Sequence, residues 1–331
     1  MSPPHATALR VGTRGSALAR WQTSRVCEAL ATAGFQTETI EIQTTGDLAP
    51  ETPIGQLSDP ALFTRQLDEA MLDERIDLAV HSLKDLPTRL PDGIALVAVS
   101  TREDPRDALI TRDGIGFSAL PSGACIATSS LRRRAQLLRA RPDLTIVEIR
   151  GNVDTRLAKL DRNPAIAATL LACAGLVRLG LGHRISERLP YELMLPAPGQ
   201  AALAVTARAG DARATEAAER AMHDPRAAAC IGAERALLHA LEGGCEVPVA
   251  ALGELVDPTA IVGPASNAVL RLRGRVVSLD GRRVVEGAIE RPVYDRQSAE
   301  AAGKELAARL VADGAGRILE ALRAPGGEPP V

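Results

Sequence analysis

The residues able to do chemistry in this chain gather where apolar runs end. One such stretch is Thr128-Ser129-Ser130-Leu131-Arg132-Arg133-Arg134, which follows the apolar Ala124-Cys125-Ile126-Ala127 and opens a helical run from Leu131 to Ala140. Small hydroxyl side chains at such a turn can cap the helix and leave its first N–H groups free for a ligand. Those donors, the positive end of the helix dipole and adjacent arginines make an anion site. Between Thr128 and Arg156 stand seven arginines, no lysine and three acids. A solvated basic helix is the plainer reading of an arginine triplet, and Arg134 in particular reads as facing solvent.

The design recurs. Arg150-Gly151-Asn152-Val153-Asp154-Thr155-Arg156 again joins a strand end, a glycine that admits close backbone approach, and arginines around a helix start. Arg14 and Ser16 occupy the first strand–helix turn. Three such turns in one chain point to a ligand with several anionic groups. Lys84-Asp85 forms a charged pair at the end of a buried strand, where a carboxylate can steady a developing cation or move a proton; an ordinary salt bridge at a turn is the alternative. Cys245 follows Gly243-Gly244 in a turn, where a thiol can be exposed and act as a nucleophile or attachment point. Cys27, Cys125, Cys173 and Cys230 sit in helical or apolar runs and read as packing residues, Cys173 within a strand. His81 reads as a structural hydrogen-bond partner.

Composition narrows the choice. The 331 residues carry a net charge of −2 and 46% hydrophobic content, enough for two or three domains with real cores. Balanced charge and only six aromatic residues argue against a nucleic-acid partner. The five cysteines show no C-x-x-C pair, so neither a zinc site nor a disulfide framework is expected, and the histidines have no metal spacing. There is no Walker loop and no G-x-G-x-x-G. With no leader-like N-terminus and no apolar run of about 18 residues, a cytoplasmic protein without a membrane span is expected.

The elements that must position these residues alternate. Strands are expected at 9–13, 37–42, 76–80, 94–99, 108–110, 124–127, 145–149, 166–171 and 201–206. Helices are expected after Ser16, after Asp59-Pro60, at 131–140 and at 152–160. Such alternation implies mostly parallel sheets with ligands at the strand C-termini. From about Pro225 the pattern changes to a helix at 226–242, three strand-like runs (247–253, 268–277, 282–290) and one further helix bearing Leu306, Leu310, Ile318 and Leu322, suggesting a smaller α+β domain.

Together these motifs resemble the porphobilinogen deaminase (hydroxymethylbilane synthase) family. The resemblance rests on Val11-Gly12-Thr13-Arg14-Gly15-Ser16, Ala79-Val80-His81-Ser82-Leu83-Lys84-Asp85-Leu86-Pro87 and Arg102-Glu103-Asp104-Pro105-Arg106-Asp107-Ala108. It continues through Thr128 to Arg133, Ile149 to Val153, Ala174-Gly175-Leu176 and Leu241-Glu242-Gly243-Gly244-Cys245. It implies an α/β fold of two periplasmic-binding-protein-like, doubly wound domains joined by a hinge, plus a smaller C-terminal α+β domain. The corresponding boundaries are 1–102 with 203–224, then 103–202, then 225–331 carrying the cofactor cysteine. It implies a monomeric transferase of tetrapyrrole biosynthesis acting on porphobilinogen, with a dipyrromethane cofactor attached through Cys245. Asp85 would be catalytic, stabilising the azafulvene cation left when ammonia departs. Lys84, Asp85, Ser16, Ser129, Arg132 and Arg133 would hold the cofactor, and Arg14, Arg150, Arg156 and Arg178 the substrate carboxylates. The chain departs from the family pattern at Gln56 to Gln66, where basic and glycine positions are replaced, and at Ala201 and Thr206. A paralogue with altered or lost elongation, or a non-catalytic binder of a polycarboxylate, is the alternative.

Overall fold

Strand and helix alternate through the first two thirds of the chain. The computed structural model describes residues 8–43, 64–241, 247–263 and 267–323. In chain order they form β1 (Leu9–Thr13), α1 (Ala17–Thr32), β2 (Thr37–Glu41), α2 (Arg65–Leu72), β3 (Leu78–Ser82), β4 (Ile94–Val99) and β5 (Asp107–Thr111). Next come β6 (Cys125–Ala127), α3 (Leu131–Ala140), β7 (Thr145–Val147), α4 (Val153–Arg162), β8 (Ala168–Ala172), α5 (Cys173–Arg178) and β9 (Glu187–Arg188). Then follow β10 (Leu203–Arg208), α6 (Ala212–Met222), α7 (Pro225–Ala240) and β11 (Val249–Leu255). The last are β12 (Val269–Val277), β13 (Val284–Pro292), α8 (Arg296–Ala312) and α9 (Ala315–Arg323). Among the described residues no helix is long and apolar enough to cross a membrane.

Two compact units divide the chain: Met1–Arg102 with Ala202–Ala227, and Glu103–Ala201 with Ala228–Val331. The first holds a five-stranded sheet in the order β2-β1-β3-β10-β4. Strand β1 runs parallel to β2 and β3, whereas β10 is antiparallel to β3 and β4. Alternate residues of β3 feed opposite faces, as the period of two requires. Leu78 and Val80 pack with Val26, Leu30 and Val205, while Ala79 packs with Leu67, Met71 and Ile76. Helices therefore cover both faces, the doubly wound arrangement.

The second unit holds a sheet of the same plan, β7-β6-β8-β5-β9. Its β6 is parallel to β7 and β8, and β5 is antiparallel to β8 and β9. Leu109, Ile126 and Leu170 form one face of its core, and Ala108, Ile110 and Leu171 the other. Both sheets are mostly parallel, as expected: four of the five strands in each run one way, and a single strand, β10 in the first and β5 in the second, opposes them. The antiparallel strands β5 and β10 are the first to form after the chain enters a unit, at Glu103 and Ala202. They arrive without a crossover helix of their own, which parallel pairing would demand.

The same unit carries the antiparallel sheet β11-β12-β13, backed by α7, α8 and α9 around Leu237, Leu270, Leu272, Leu306, Leu310 and Ile318. The single helix expected at the C-terminus is two. Gly314, with φ of 104°, adopts a left-handed conformation that glycine alone takes readily, and the helix breaks there. Cys173 likewise begins α5 and does not lie in a strand; it is fully buried, and burial first, then Asp104 and Asp107, push its thiol up to about 12.

Candidate functional site

In the first unit, the parallel register Val11↔Leu78 and Gly12↔Ala79 brings the C-terminal ends of β1 and β3 to one sheet edge. Arg14 and Ser16 leave the first strand there, and Lys84 and Asp85 the other. Ser16 caps α1 as expected, its side chain accepting from the Ala19 N–H at 3.3 Å. Gln22 on that helix donates to Ser82 Oγ at 2.8 Å, fastening α1 to the end of β3. Lys84 and Asp85 share a single 3-10 turn anchored by buried Leu83, whose N–H donates to the Ala202 carbonyl at 3.1 Å. Both charged side chains are half-buried. Holding a carboxylate on a short turn between two packed strands keeps it in place when charge develops nearby.

His81 lies one residue before this edge and is buried, with Nε2 3.2 Å from Thr206 Oγ1. Burial first, and the charge of Arg14 second, lower its pKa to about 4. It is a structural hydrogen-bond partner within the sheet, as expected, and burial favours its neutral form.

In the second unit the parallel strands β6, β7 and β8 end at one sheet edge; arginines follow β6 and β7 within a few residues, and Arg178 closes the helix after β8. The turns are laced together: Thr128 N–H donates to the Val147 carbonyl at 2.8 Å, and Ser129 Oγ donates to the Ile149 carbonyl at 2.8 Å while accepting from the Ile149 N–H at 3.2 Å. Ser129 thus fixes the backbone that presents Arg150. Ser130 is the residue that caps α3, its Oγ accepting from the Arg133 N–H. Gly151 has φ of 110°, and a Cβ there would lie 2.7 Å from Thr155 Cβ, so the turn admits only glycine. Arg156 folds back to donate from Nε to the Gly151 carbonyl at 2.8 Å.

The arginines of the opening stretch have divided tasks. Asp107, on β5, is fully buried and receives Nη1 of Arg132 at 2.6 Å on Oδ2 and Nη2 of Arg133 at 2.7 Å on Oδ1. Gln200 Nε2 donates to the same Oδ1 at 3.0 Å and to the Pro105 carbonyl at 2.8 Å. Burial alone would raise the Asp107 carboxyl, but the charges and hydrogen bonds of Arg132 and Arg133 outweigh it and hold it well below the usual carboxylate range. Arg133 spends all three guanidinium nitrogens on protein, adding the Leu170 carbonyl to Asp107. Among the described residues Arg132 spends only Nη1, on Asp107 and the Leu195 carbonyl. Two buried cations against one buried anion leave an excess positive charge at this strand edge. Arg134, expected to face solvent, is half-buried instead, and burial pushes its pKa down against the charge of Glu148.

Arg150 differs from its neighbours. No hydrogen bond or ion pair ties it to another described residue, and its Nη1 is buried without a partner. A sealed guanidinium donor with no acceptor is costly unless a ligand supplies one. Arg178, on α5, is buried and donates to Glu103 and to the Ala201 carbonyl. The sequence reading missed Asp107, Gln200 and Glu103 as site-shaping residues. Two of them stood inside the Arg102 to Ala108 motif, where only their proximity to a predicted strand marked them. Cys245, and residues 56–63 of the altered loop, lie outside the described residues.

The donor chemistry fits a ligand rich in carboxylates, as dipyrromethane with its acetate and propionate arms is. Two mixed, helix-covered sheets with basic strand ends place the chain in a broad class of α/β proteins, and comparison with known proteins narrows it. The family models "Porphobilinogen deaminase, dipyromethane cofactor binding domain" and "Porphobilinogen deaminase, C-terminal domain" match residues 9–216 and 228–312. The chain is 47% identical to a porphobilinogen deaminase of Moorella thermoacetica, over 97% of this chain and 98% of that protein. It is 51% identical to one of Rubrobacter xylanophilus over 95% and 97%, and 46% identical to one of Geobacter metallireducens over 94% and 93%. Among solved structures it is similar to a YaeC-family lipoprotein of Enterococcus faecalis V583, at 15% identity and a TM-score of 0.40, covering 67% of this chain and 94% of that one. The chain belongs to the porphobilinogen deaminase family.

Proposed function

We propose that this chain is a hydroxymethylbilane synthase, a transferase that deaminates porphobilinogen, joins four units head to tail and releases hydroxymethylbilane when water cleaves the bond between the cofactor and the first unit and supplies the hydroxyl. The family models and relatives support the activity. The observation within the molecule that carries it is Arg150, a positioned guanidinium with a buried, unpartnered donor on an edge of excess positive charge.

In each round the aminomethyl C–N bond of porphobilinogen breaks and ammonia leaves with a proton. A C–C bond forms to a pyrrole α-carbon, which then loses its proton. Dipyrromethane, which Cys245 would hold, would supply the free α-carbon to which the first unit is joined. The chain's own residues do the remainder. The Asp85 carboxylate accepts pyrrole N–H groups and offsets the positive charge that builds as ammonia departs. Lys84, Ser16, Ser129, Arg132 and Arg133 would hold the cofactor's arms, Arg132 with the nitrogens Asp107 leaves unused and Arg133 by fixing the Asp107 cluster. Arg14, Arg150, Arg156 and Arg178 bind substrate acetate and propionate, for which paired guanidinium donors are geometrically suited.

The three-domain division, 1–102 with 203–224, 103–202 and 225–331, belongs to this reading. Three separate sheets, each with its own core, support it. So does a cytoplasmic, monomeric protein, for which the free thiols of Cys27, Cys125, Cys173 and Cys230 are consistent support.

Intact mass and ammonia release test the reading together. The wild-type chain, expressed where porphobilinogen is available, is expected to carry a covalent adduct that Cys245→Ser lacks, and to release ammonia from porphobilinogen. Asp85→Ala is expected to keep the fold and lose turnover. An unmodified wild type that binds porphobilinogen without releasing ammonia would instead make the chain a binder.

A further inference from the structure

Arg178 and Glu103 form a pair that is unequal in a useful way. The Arg178 side chain is 4% exposed and the Glu103 side chain 41% exposed, with Nε to Oε1 at 2.9 Å. Arg178 Nη2 donates to the Ala201 carbonyl at 2.8 Å, so the guanidinium is held from the protein side whether or not Glu103 is present. Glu103 is held by less. Among the described residues its carboxylate makes one contact, with Arg178 Nε, and its backbone N–H is tied to the Ala201 carbonyl at 3.3 Å. An exposed carboxylate on a buried guanidinium marks the side from which that guanidinium can be reached.

The chemical identity of the Glu103 side chain adds to this. Beyond Cα it is CH2–CH2–COO−, which is a propionate arm. We infer that Glu103 is a resident stand-in for a ligand propionate on Arg178, a specificity-determining residue that occupies the guanidinium until the ligand's own propionate displaces it. The exchange replaces one carboxylate by another of the same length and charge, so Arg178 keeps its Nε bond and its hold on Ala201. The exchange costs little, because the incoming carboxylate takes the place of the outgoing one and the buried Arg178 guanidinium is never left without its anion. It also discriminates: an arm that cannot reproduce the carboxylate leaves Glu103 in place, and an uncharged ligand gains nothing by entering.

This inference deepens the proposed reading and rests on it for the identity of the natural ligand, but its chemistry can be tested without turnover. The Arg178 Nε–H resonance, assigned by its loss in Arg178→Lys, is to be followed in 15N-labelled full-length chain during titration with sodium propionate and then with porphobilinogen. In wild type both are expected to move the resonance. In Glu103→Gln, which keeps the shape and removes the charge, each is expected to act at lower concentration. The KM for porphobilinogen is expected to fall about two- to fivefold in that variant, equivalent to about 0.4–1 kcal/mol of displaced ion pair. Glu103→Ala is expected to change KM in the same direction, and melting of all variants checks that they fold. An unmoved resonance with both ligands, or an unchanged or raised KM in both folded Glu103 variants, overturns the stand-in. A resonance that moves with propionate in a protein that releases no ammonia would keep the stand-in and refute the enzymatic reading.

Discussion

Nη1 of Arg132 lies 2.6 Å from Oδ2 of Asp107, and the aspartate has 0% exposure. The contact ties the first turn of α3 to the antiparallel strand β5, so an arginine expected to hold a ligand's carboxylate is a structural strut. Removing only the carboxylate leaves two guanidinium groups buried without their anion. Asp107→Asn is therefore expected to cost about 3–5 kcal/mol, measured as a lower urea midpoint of the full chain. The sign with pH follows from the depressed carboxyl: the stability it contributes is complete above the unfolded carboxylate pKa of about 4 and is lost as pH falls toward the folded value. A variant that melts like wild type at pH 7 would contradict the strut.

Arg150 and Arg133 should separate under mutation. Arg150 has no protein acceptor among the described residues, whereas Arg133 uses all three nitrogens on Asp107 and Leu170. Arg150→Leu is expected not to lower stability, because it removes a buried donor that has no acceptor. The same variant should raise the KM for porphobilinogen about 10- to 100-fold, the worth of a charged hydrogen bond. Arg133→Leu should instead lower stability by several kcal/mol. Parallel melting curves and Michaelis plots check both, and equal destabilisation by the two would refute the division of tasks.

The first unit contains two buried groups that titrate in opposite senses. His81, lowered to about 4 by burial and then Arg14, stabilises fully above its unfolded pKa of about 6.5 and loses that contribution as pH falls through the folded value. Asp68, raised to about 6 chiefly by burial, with Oδ1 sealed and unpartnered, contributes fully below its unfolded pKa of about 4 and loses that contribution as pH rises through 6. Each is worth on the order of 3 kcal/mol at most. On going from pH 7 to 4.5, wild type should lose stability relative to His81→Gln and gain it relative to Asp68→Asn. Melting of the three proteins at both pH values decides this, and shifts of the same sign would overturn it.

Ala201 has φ of 77°, in the left-handed region that costs an L-residue about 1–2 kcal/mol. Glycine removes that strain but gives back part of it as chain entropy in the unfolded state. Ala201→Gly is expected to raise stability by up to about 1 kcal/mol, seen as a higher melting temperature. A lower one would mean that the methyl group packs for more than its backbone strain.

Much of this molecule is written in short range. Alternating apolar runs placed β1, β4, α3 and the C-terminal strands, because strand and helix periods report conformations that neighbouring residues impose on one another. Ser16 was legible as a cap and Gly151 as a turn for the same reason: their partners are three or four residues away. The motifs from Val11 to Cys245 identified the family without any structure.

Tertiary structure alone decided which acceptor each guanidinium meets. Arg132 and Arg133 sit next to one another in sequence and look alike, yet one is saturated and the other keeps two donors, because the choice is made by Asp107 on a strand more than twenty residues earlier and by the Leu170 and Leu195 carbonyls. The same holds for Arg178, whose partners Glu103 and Ala201 are the last two residues one would pair from the sequence. Periodicity also could not show that β5 and β10 enter their sheets antiparallel, since a strand's pattern records its burial and not its direction. The sequence by itself determined which local elements form and which side chains carry charge; only the folded chain determined which of those charges meet a protein acceptor and which, like Arg150 Nη1, are buried without one among the described residues.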